Sequence, residues 1–155
     1  MNFSTILTKT KIVENPNVVR IPDNPQTLGK HIRKVRMERG LLQKAVAEIL
    51  NVDEDSITAW ENGRSKPQVR FYPKILAFLQ YNPFNHDIET VSGRLRHVRL
   101  CNGYSIKRFA QLVHVDPVTF AKLECGKRVM STLAQLTILN LLAKLPTYLR
   151  TNHFL

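Results

Sequence analysis

The feature that most constrains the fold is an internal repeat, because the sequence pairs with itself when it is shifted by 63 positions without a gap. Glycines, acidic residues and arginines all fall in the same register, and self-similarity at a fixed period indicates one structural unit used twice. We therefore predict a tandem duplication, with units at residues 27–81 and 91–145 and a turn-rich linker at 82–90. The pairs include Arg33 and Arg96, Arg36 and Arg99, Gly40 and Gly103, Lys44 and Lys107, Ala47 and Ala110, Val52 and Val115, Asp53 and Asp116, Glu61 and Glu124, and Gly63 and Gly126.

Apolar spacing in the first unit predicts two helices separated by a glycine. The first is expected over 28–39, and Gly40 ends it by taking a left-handed conformation. The second begins near Gln43, and Asn51 supplies the positive-φ turn that follows it. The residues expected to face the core are Leu28, Ile32 and Val35 in the first helix, and Val46, Ala47, Ile49 and Leu50 in the second.

A third helix follows after a tight turn. Asp53 is a plausible N-cap, Ile57 and Trp60 form an apolar pair, and Asn62-Gly63 ends the helix. A closing helix is predicted in "FYPKILAFL", where a proline is tolerated in the first turn. The second and third predicted helices of the unit are therefore joined by a tight turn.

The second unit repeats these signals, with Ser105 as a cap and Pro117 at the first position of its third helix. We expect an extended arm over residues 1–26 and a C-terminal tail over 146–155. The fold class is therefore all-α, with two tandem bundles. The predicted second core includes Phe109, Ala110, Leu112 and Val113.

The charge of the chain points to a polyanionic partner. The chain has 23 Lys and Arg against 12 Asp and Glu, a formal charge of +11, and a pI near 10.1. Nucleic acid is the commonest partner of such a protein, although charge alone does not choose among DNA, RNA and an anionic membrane. The N-terminal segment has no uninterrupted apolar run, so we expect no signal peptide. The longest apolar stretch is interrupted by Gln and Asn, so we expect no membrane span.

The sequence predicts neither a metal site nor a catalytic site. Cys101 and Cys125 show no CxxC spacing, so we expect buried free thiols in a reducing compartment. The five histidines are scattered, and no Ser/His/Asp set, paired-carboxylate cleft or phosphate-binding glycine loop is legible. We therefore expect no cofactor and no enzyme activity.

The stretch "RMERGLLQKAVAEILNVDEDSITAWENGRSKP" resembles the Cro and phage-repressor (XRE-type) helix-turn-helix regulators. This resemblance implies lambda-repressor-like bundles and a bacterial or phage-encoded, cytoplasmic regulator of transcription that binds double-stranded DNA. The second unit shares part of the pattern but departs from it at Ile106, Leu123 and Met130. The matching residues of the first unit are Arg36, Gly40, Gln43, Ala47, Val52, Trp60, Glu61, Gly63, Arg64 and Pro67.

The third helix is the candidate reading helix, because a major groove about 12 Å wide admits one helix. Residues 54–61 would enter the groove, since Ile57 and Trp60 turn inward and leave the opposite face to the bases. For Glu54 and Asp55, complementation of the helix dipole is the alternative interpretation. The candidate DNA contacts on this helix are Glu54, Asp55, Ser56, Thr58 and Ala59.

Further contacts are expected with phosphate groups. Gln43 lies at the start of the second helix, where its amide and free backbone N–H groups can hold a phosphate oxygen, and the family places a DNA-contacting Gln there. The flanking residues are expected to bind phosphates regardless of base sequence, or else to form a solvated basic loop; they are Lys44, Asn62, Arg64 and Lys66.

Two ion pairs are expected within the bundles. Arg36 and Glu61 stand at the spacing where this family joins its first and third helices, and Arg99 and Glu124 repeat it. We interpret both pairs as structural, because a buried pair fixes the angle between helices and is unavailable to DNA.

The second unit carries a poorer set of base-facing residues, namely Pro117, Val118, Ala121 and Lys122. We therefore expect it to position the protein on DNA or to form a homodimer through its apolar C-terminal end. Phosphate contacts remain possible through Lys107, Lys122, Lys127 and Arg128. Two alternatives to a DNA-binding regulator stay open: a protein-interaction scaffold or antitoxin-type regulator that binds a protein partner, and an RNA-binding module.

Overall fold

The computed structural model of the chain describes residues 25–127, which contain seven α-helices, one short 3₁₀ turn and no β-strand. None of these helices has both the length and the apolarity needed to cross a membrane. The helices are α1 (Leu28–Glu38), α2 (Gln43–Leu50), α3 (Glu54–Glu61), α4 (Tyr72–Leu79), α5 (Val91–Cys101), α6 (Ile106–Leu112) and α7 (Pro117–Glu124), and the 3₁₀ turn is Val69–Phe71.

Threonine caps begin α1 and α5 in the same way. The Thr27 hydroxyl accepts a hydrogen bond from the Lys30 backbone N–H at 3.3 Å, and the Thr90 hydroxyl accepts one from the Gly93 N–H at 3.1 Å. Each cap satisfies a backbone donor that the first helical turn leaves unpaired. Both helices then run for 11 residues.

A left-handed residue separates the second from the third helix in each half of the described chain. Asn51 has a φ of 55°, as predicted, and His114 has a φ of 54° at the corresponding position. The two aspartates that follow behave differently. Asp116 accepts a hydrogen bond from the Thr119 N–H at 2.9 Å, whereas Asp53 occupies the cap position of α3 without a side-chain hydrogen bond.

The first core forms where α1, α2 and α3 meet the closing helix α4. A side chain at Gly29 would collide with the Trp60 carbonyl oxygen, so glycine allows α1 to approach the end of α3. Trp60 also packs against Phe71, with ring centroids 5.6 Å apart. The buried residues of this core are Ile32, Val35, Val46, Ala47, Leu50, Ile57, Trp60, Ile75, Phe78 and Leu79.

The second core lies between α5, α6 and α7. Phenylalanines replace smaller residues of the first core: Phe109 stands where Val46 does, and Phe120 where Ile57 does, and their rings are 5.4 Å apart. The larger rings enlarge the apolar surface that this core removes from water. Its buried residues are Leu95, Phe109, Ala110, Val113 and Phe120.

Three predictions about burial are wrong. Ile49 and Leu112 were expected in the two cores but are exposed, because each lies on the outer side of its helix. The other core residues predicted for these two helices, Val46 and Phe109 among them, are buried as expected. Cys125 is also exposed, since α7 ends at Glu124 and the chain turns outward. Cys101 is buried as expected, and burial raises the pKa of its thiol to about 11.

The segment between α4 and α5 is packed against both helices. Phe84 stacks on Tyr72 at 5.2 Å and on His86 at 5.5 Å, and His86 meets the ring of His97 edge-on at 6.0 Å. Burial lowers the pKa of His86 to about 4, and the charges of neighbouring arginines act in the same direction. This series of four rings, the aromatic ladder, joins α4 to α5.

Several predicted segments lie outside the described residues. They are residues 1–24 of the predicted arm, the C-terminal part of the predicted second unit from Arg128 to residue 145, and the tail at 146–155.

Candidate nucleic-acid interface

The N-terminal face of α3 is open to solvent. Glu54 and Asp55 are exposed, whereas Ser56, Thr58 and Ala59 are half-buried. Ile57 and Trp60 point into the core, which leaves the other side of the helix free for a ligand. Glu61 ends the helix and is buried with only 1% of its surface exposed.

Glu61 is held by two bonds from one guanidinium. Arg36 Nε donates to Glu61 Oε1 at 2.7 Å, and Arg36 Nη2 donates to Glu61 Oε2 at 2.9 Å. The remaining Arg36 nitrogen donates to the Leu41 carbonyl at 3.0 Å. The hydrogen bond to Glu61 raises the pKa of Arg36, against the opposing effect of burial. This bidentate pair ties α1 to the end of α3 and to the turn before α2.

Gln43 connects this ion pair to the open face of α3. Its Nε2 donates to Glu61 Oε2 at 2.9 Å, and its Oε1 accepts from the Thr58 hydroxyl at 3.2 Å. The first residue of α2 is therefore fixed beside the middle of α3. A side chain held by two partners is oriented before any ligand arrives, which lowers the entropy lost on binding.

A groove of about 440 Å³ opens between the start of α2 and α3. It brings together four of the predicted contact residues, Gln43, Lys44, Glu54 and Asn62, with the ion pair beneath them. Two further residues line it that the sequence reasoning did not assign to the site, Arg33 and Leu42. One feature of the sequence could have pointed to Arg33, because the shift by 63 positions pairs it with Arg96.

The basic loop that follows Asn62 does not line this groove. Gly63 takes a φ of 72°, and the Arg64 N–H donates to the Ala59 carbonyl at 2.9 Å, which closes the end of α3. Arg64 and Lys66 are exposed. Lys66 lines a different cavity of about 470 Å³, next to Trp60, so the structure separates it from the groove residues.

The second half of the described chain repeats the ion pair and its hydrogen bond to a backbone carbonyl, but not the two hydrogen bonds that Gln43 makes in the first half. Arg99 donates to both carboxylate oxygens of Glu124, at 2.6 and 2.8 Å, and to the Tyr104 carbonyl at 3.0 Å. Ile106 and Ala121 occupy the positions of Gln43 and Thr58. These two positions therefore provide no side-chain amide or hydroxyl to link the Arg99–Glu124 pair to the outer face of α7. Of the possible contacts predicted there, Lys107, Lys122 and Lys127 are exposed, and Arg128 lies outside the described range.

Metal ligation has no candidate in the part of the chain that the structure covers, since no three His, Cys, Asp or Glu side chains are grouped there suitably.

Comparison with known proteins gives a family match within the first half of the chain. Residues 32–84 match a family model described as helix-turn-helix, whose members are DNA-binding regulators and not enzymes. The comparisons with curated proteins and with solved structures gave no significant match. The matched segment contains most of α1, all of α2, α3 and α4, the groove and the basic loop, so the domain implies DNA binding. Residues 32–84 therefore form one XRE-type helix-turn-helix domain.

Proposed function

We propose that the protein is a transcriptional regulator that binds double-stranded DNA sequence-specifically and reads the major groove with residues 54–61. The observation that carries this proposal is the hydrogen-bonded link from Glu61 through Gln43 to Thr58. It holds the start of α2 and the outer face of α3 together as one surface. Because the first unit resembles bacterial and phage regulators, the proposed site of action is the cytoplasm.

The side chains of this surface suit different parts of a duplex. Glu54 and Asp55 can accept hydrogen bonds from cytosine N4, while Thr58 and Ala59 can contact a thymine methyl group. Gln43 and Lys44 stand at the start of a helix, where backbone N–H groups favour a phosphate oxygen. Ser56, Asn62, Arg64 and Lys66 complete the proposed contacts.

We further propose that the chain is a tandem duplication, with domains at 27–81 and 91–145. Three observations support it: α5 begins 63 positions after α1, α7 begins 63 positions after α3, and both halves contain the same bidentate ion pair. The second domain would have the same helical bundle as the first, but it would lack most of the polar side chains that could hydrogen-bond to base edges. Lys107, Lys122 and Lys127 leave it able to contact phosphates.

The test begins with selection of bound duplexes from a random DNA pool by the full chain. A motif shared by the bound duplexes is the expected result, and two half-sites about 34 Å apart would indicate a homodimer. Thr58→Arg should weaken binding to the selected duplex about fivefold or more, since one good base contact is worth about 1–3 kcal/mol.

Ala121→Arg is the matched control, because it adds the same side chain at the corresponding position of the second half. It should leave the base preference unchanged. Circular dichroism establishes that both variants fold. If no motif is enriched, or if Thr58→Arg binds the selected duplex as tightly as the parent chain, the proposal is wrong.

A further inference from the structure

The second half of the chain exposes an apolar surface where the first half has its proposed DNA-reading surface. Val118 is 63% exposed and Ile106 is 37% exposed. Leaving such side chains in water is unfavourable, and exposed apolar groups that cluster indicate a binding surface. All four positions are polar or charged in the first half and apolar in the second: Glu54, Asp55, Gln43 and Thr58 become Pro117, Val118, Ile106 and Ala121. We call these four residues of the second half the apolar face.

The members of the apolar face lie on one side of the bundle. Pro117, Val118 and Ala121 follow i, i+1, i+4 spacing and so lie on one strip of α7, and Val118 points away from the buried Phe120 and Leu123. Their relation to Ile106 follows from the first half, where the corresponding Gln43 and Thr58 are 3.2 Å apart. Helices α6 and α7 begin 63 positions after α2 and α3, and Arg99 bonds Glu124 and the Tyr104 carbonyl as Arg36 bonds Glu61 and the Leu41 carbonyl. We therefore infer that α6 and α7 meet as α2 and α3 do.

The border of this face is cationic. Lys107 and Lys122 follow two of its members directly in sequence and are exposed, as is Lys127 just beyond α7. The carboxylate of Asp116, which directly precedes Pro117, accepts the hydrogen bond that caps α7. A ligand of the apolar face therefore meets positive charge at its edges.

We propose that the apolar face binds a segment of another protein in which apolar anchors are flanked by Asp or Glu. Charge complementarity favours this occupant, since carboxylates would meet the lysines while the anchors cover Ile106 and Val118. A second copy of the chain would bring like-charged borders together. DNA phosphates fit the border, but Val118 and Ile106 offer base edges no hydrogen-bonding group. The inference uses the proposed duplication and does not depend on DNA reading by the first half.

The experiment selects peptides on the full chain from a displayed library of random short sequences. The enriched peptides should combine apolar residues with Asp or Glu, and one of them, labelled with a fluorophore, then serves as the probe in anisotropy titrations. Val118→Asp should weaken its binding about tenfold or more, because it replaces a buried apolar contact by a charge. This substitution introduces the residue type that position 55 already has at the start of α3, so the helix tolerates it.

Ile88→Asp is the control, because Ile88 is 50% exposed and lies outside the apolar face. It should leave peptide binding unchanged. The inference is overturned if no peptide is enriched, if the peptide binds the Val118→Asp chain as tightly as the parent, or if Val118→Asp weakens duplex binding instead. The duplex selection runs separately, so loss of the DNA motif with retained peptide binding would refute only the proposed function.

Discussion

Removal of Arg36 tests whether the buried ion pair determines the stability of the first bundle. Glu61 is 1% exposed and accepts three hydrogen bonds, two of which come from this guanidinium. Arg36→Ala leaves the carboxylate with Gln43 alone and also frees the Leu41 carbonyl. Stranding a buried charge costs about 3–5 kcal/mol. At about 4–8 °C per kcal/mol for a small domain, the melting temperature should fall by at least about 12 °C.

The assay is thermal unfolding followed by circular dichroism at neutral pH, with urea unfolding as a second measure of the free energy. Arg33→Ala is the control, since it removes the same side chain from α1 without stranding Glu61, and it should shift the melting temperature by far less. Replacing Arg36 and Glu61 together by Met and Leu should recover much of the loss, because no uncompensated charge then remains. A decrease of only one or two degrees in Arg36→Ala would refute the reasoning.

Three further predictions concern single positions. Lys66→Ala should weaken binding to all duplexes alike and reduce the slope of log K against log salt by about one, as measured in titrations over several salt concentrations. Gly103→Ala should lower the melting temperature more than Gly40→Ala, because both residues have positive φ but only the former places its new carbon about 3.0 Å from a proline ring. The pKa of His86 lies at about 4 in the folded chain, below its ordinary 6.5, so its contribution to stability is present above about pH 6.5 and is lost as the pH falls toward 4. His86→Phe, which keeps an aromatic ring, should show a smaller decrease in melting temperature over that range.

Much of the helical framework could be predicted because its signals are local. A serine before an apolar run, a glycine after it and an asparagine in the turn each act on a few adjacent backbone groups. Asn51 and Gly40 therefore take the positive φ values expected of them. Arg36 and Glu61 form an ion pair in the structure. This pair was expected because the two residues stand at the spacing at which the resembling family joins its first and third helices.

The interior arrangement could be predicted less well, because it depends on residues distant in sequence. Periodicity places Ile49 and Leu50 on neighbouring strips of α2, and only the position of the other helices decides that Leu50 is covered and Ile49 is not. The link from Gln43 to Thr58 joins residues 15 positions apart on different helices. No local pattern in the sequence signals such a contact.

The aromatic ladder gives the proposed division of functions a physical basis. With a flexible linker, the second half would move freely around a DNA-bound first half. The effective concentration of its partner near the DNA site would then be low. Instead, Phe84 and His86 fill the space between Tyr72 and His97, and Pro73 lies against Gly103. These contacts hold α4 and α5 together, so a first half bound to DNA would present the apolar face in a limited range of directions. A partner bound there would be held close to the recognised DNA site, which is the property required of a regulator that recruits another protein.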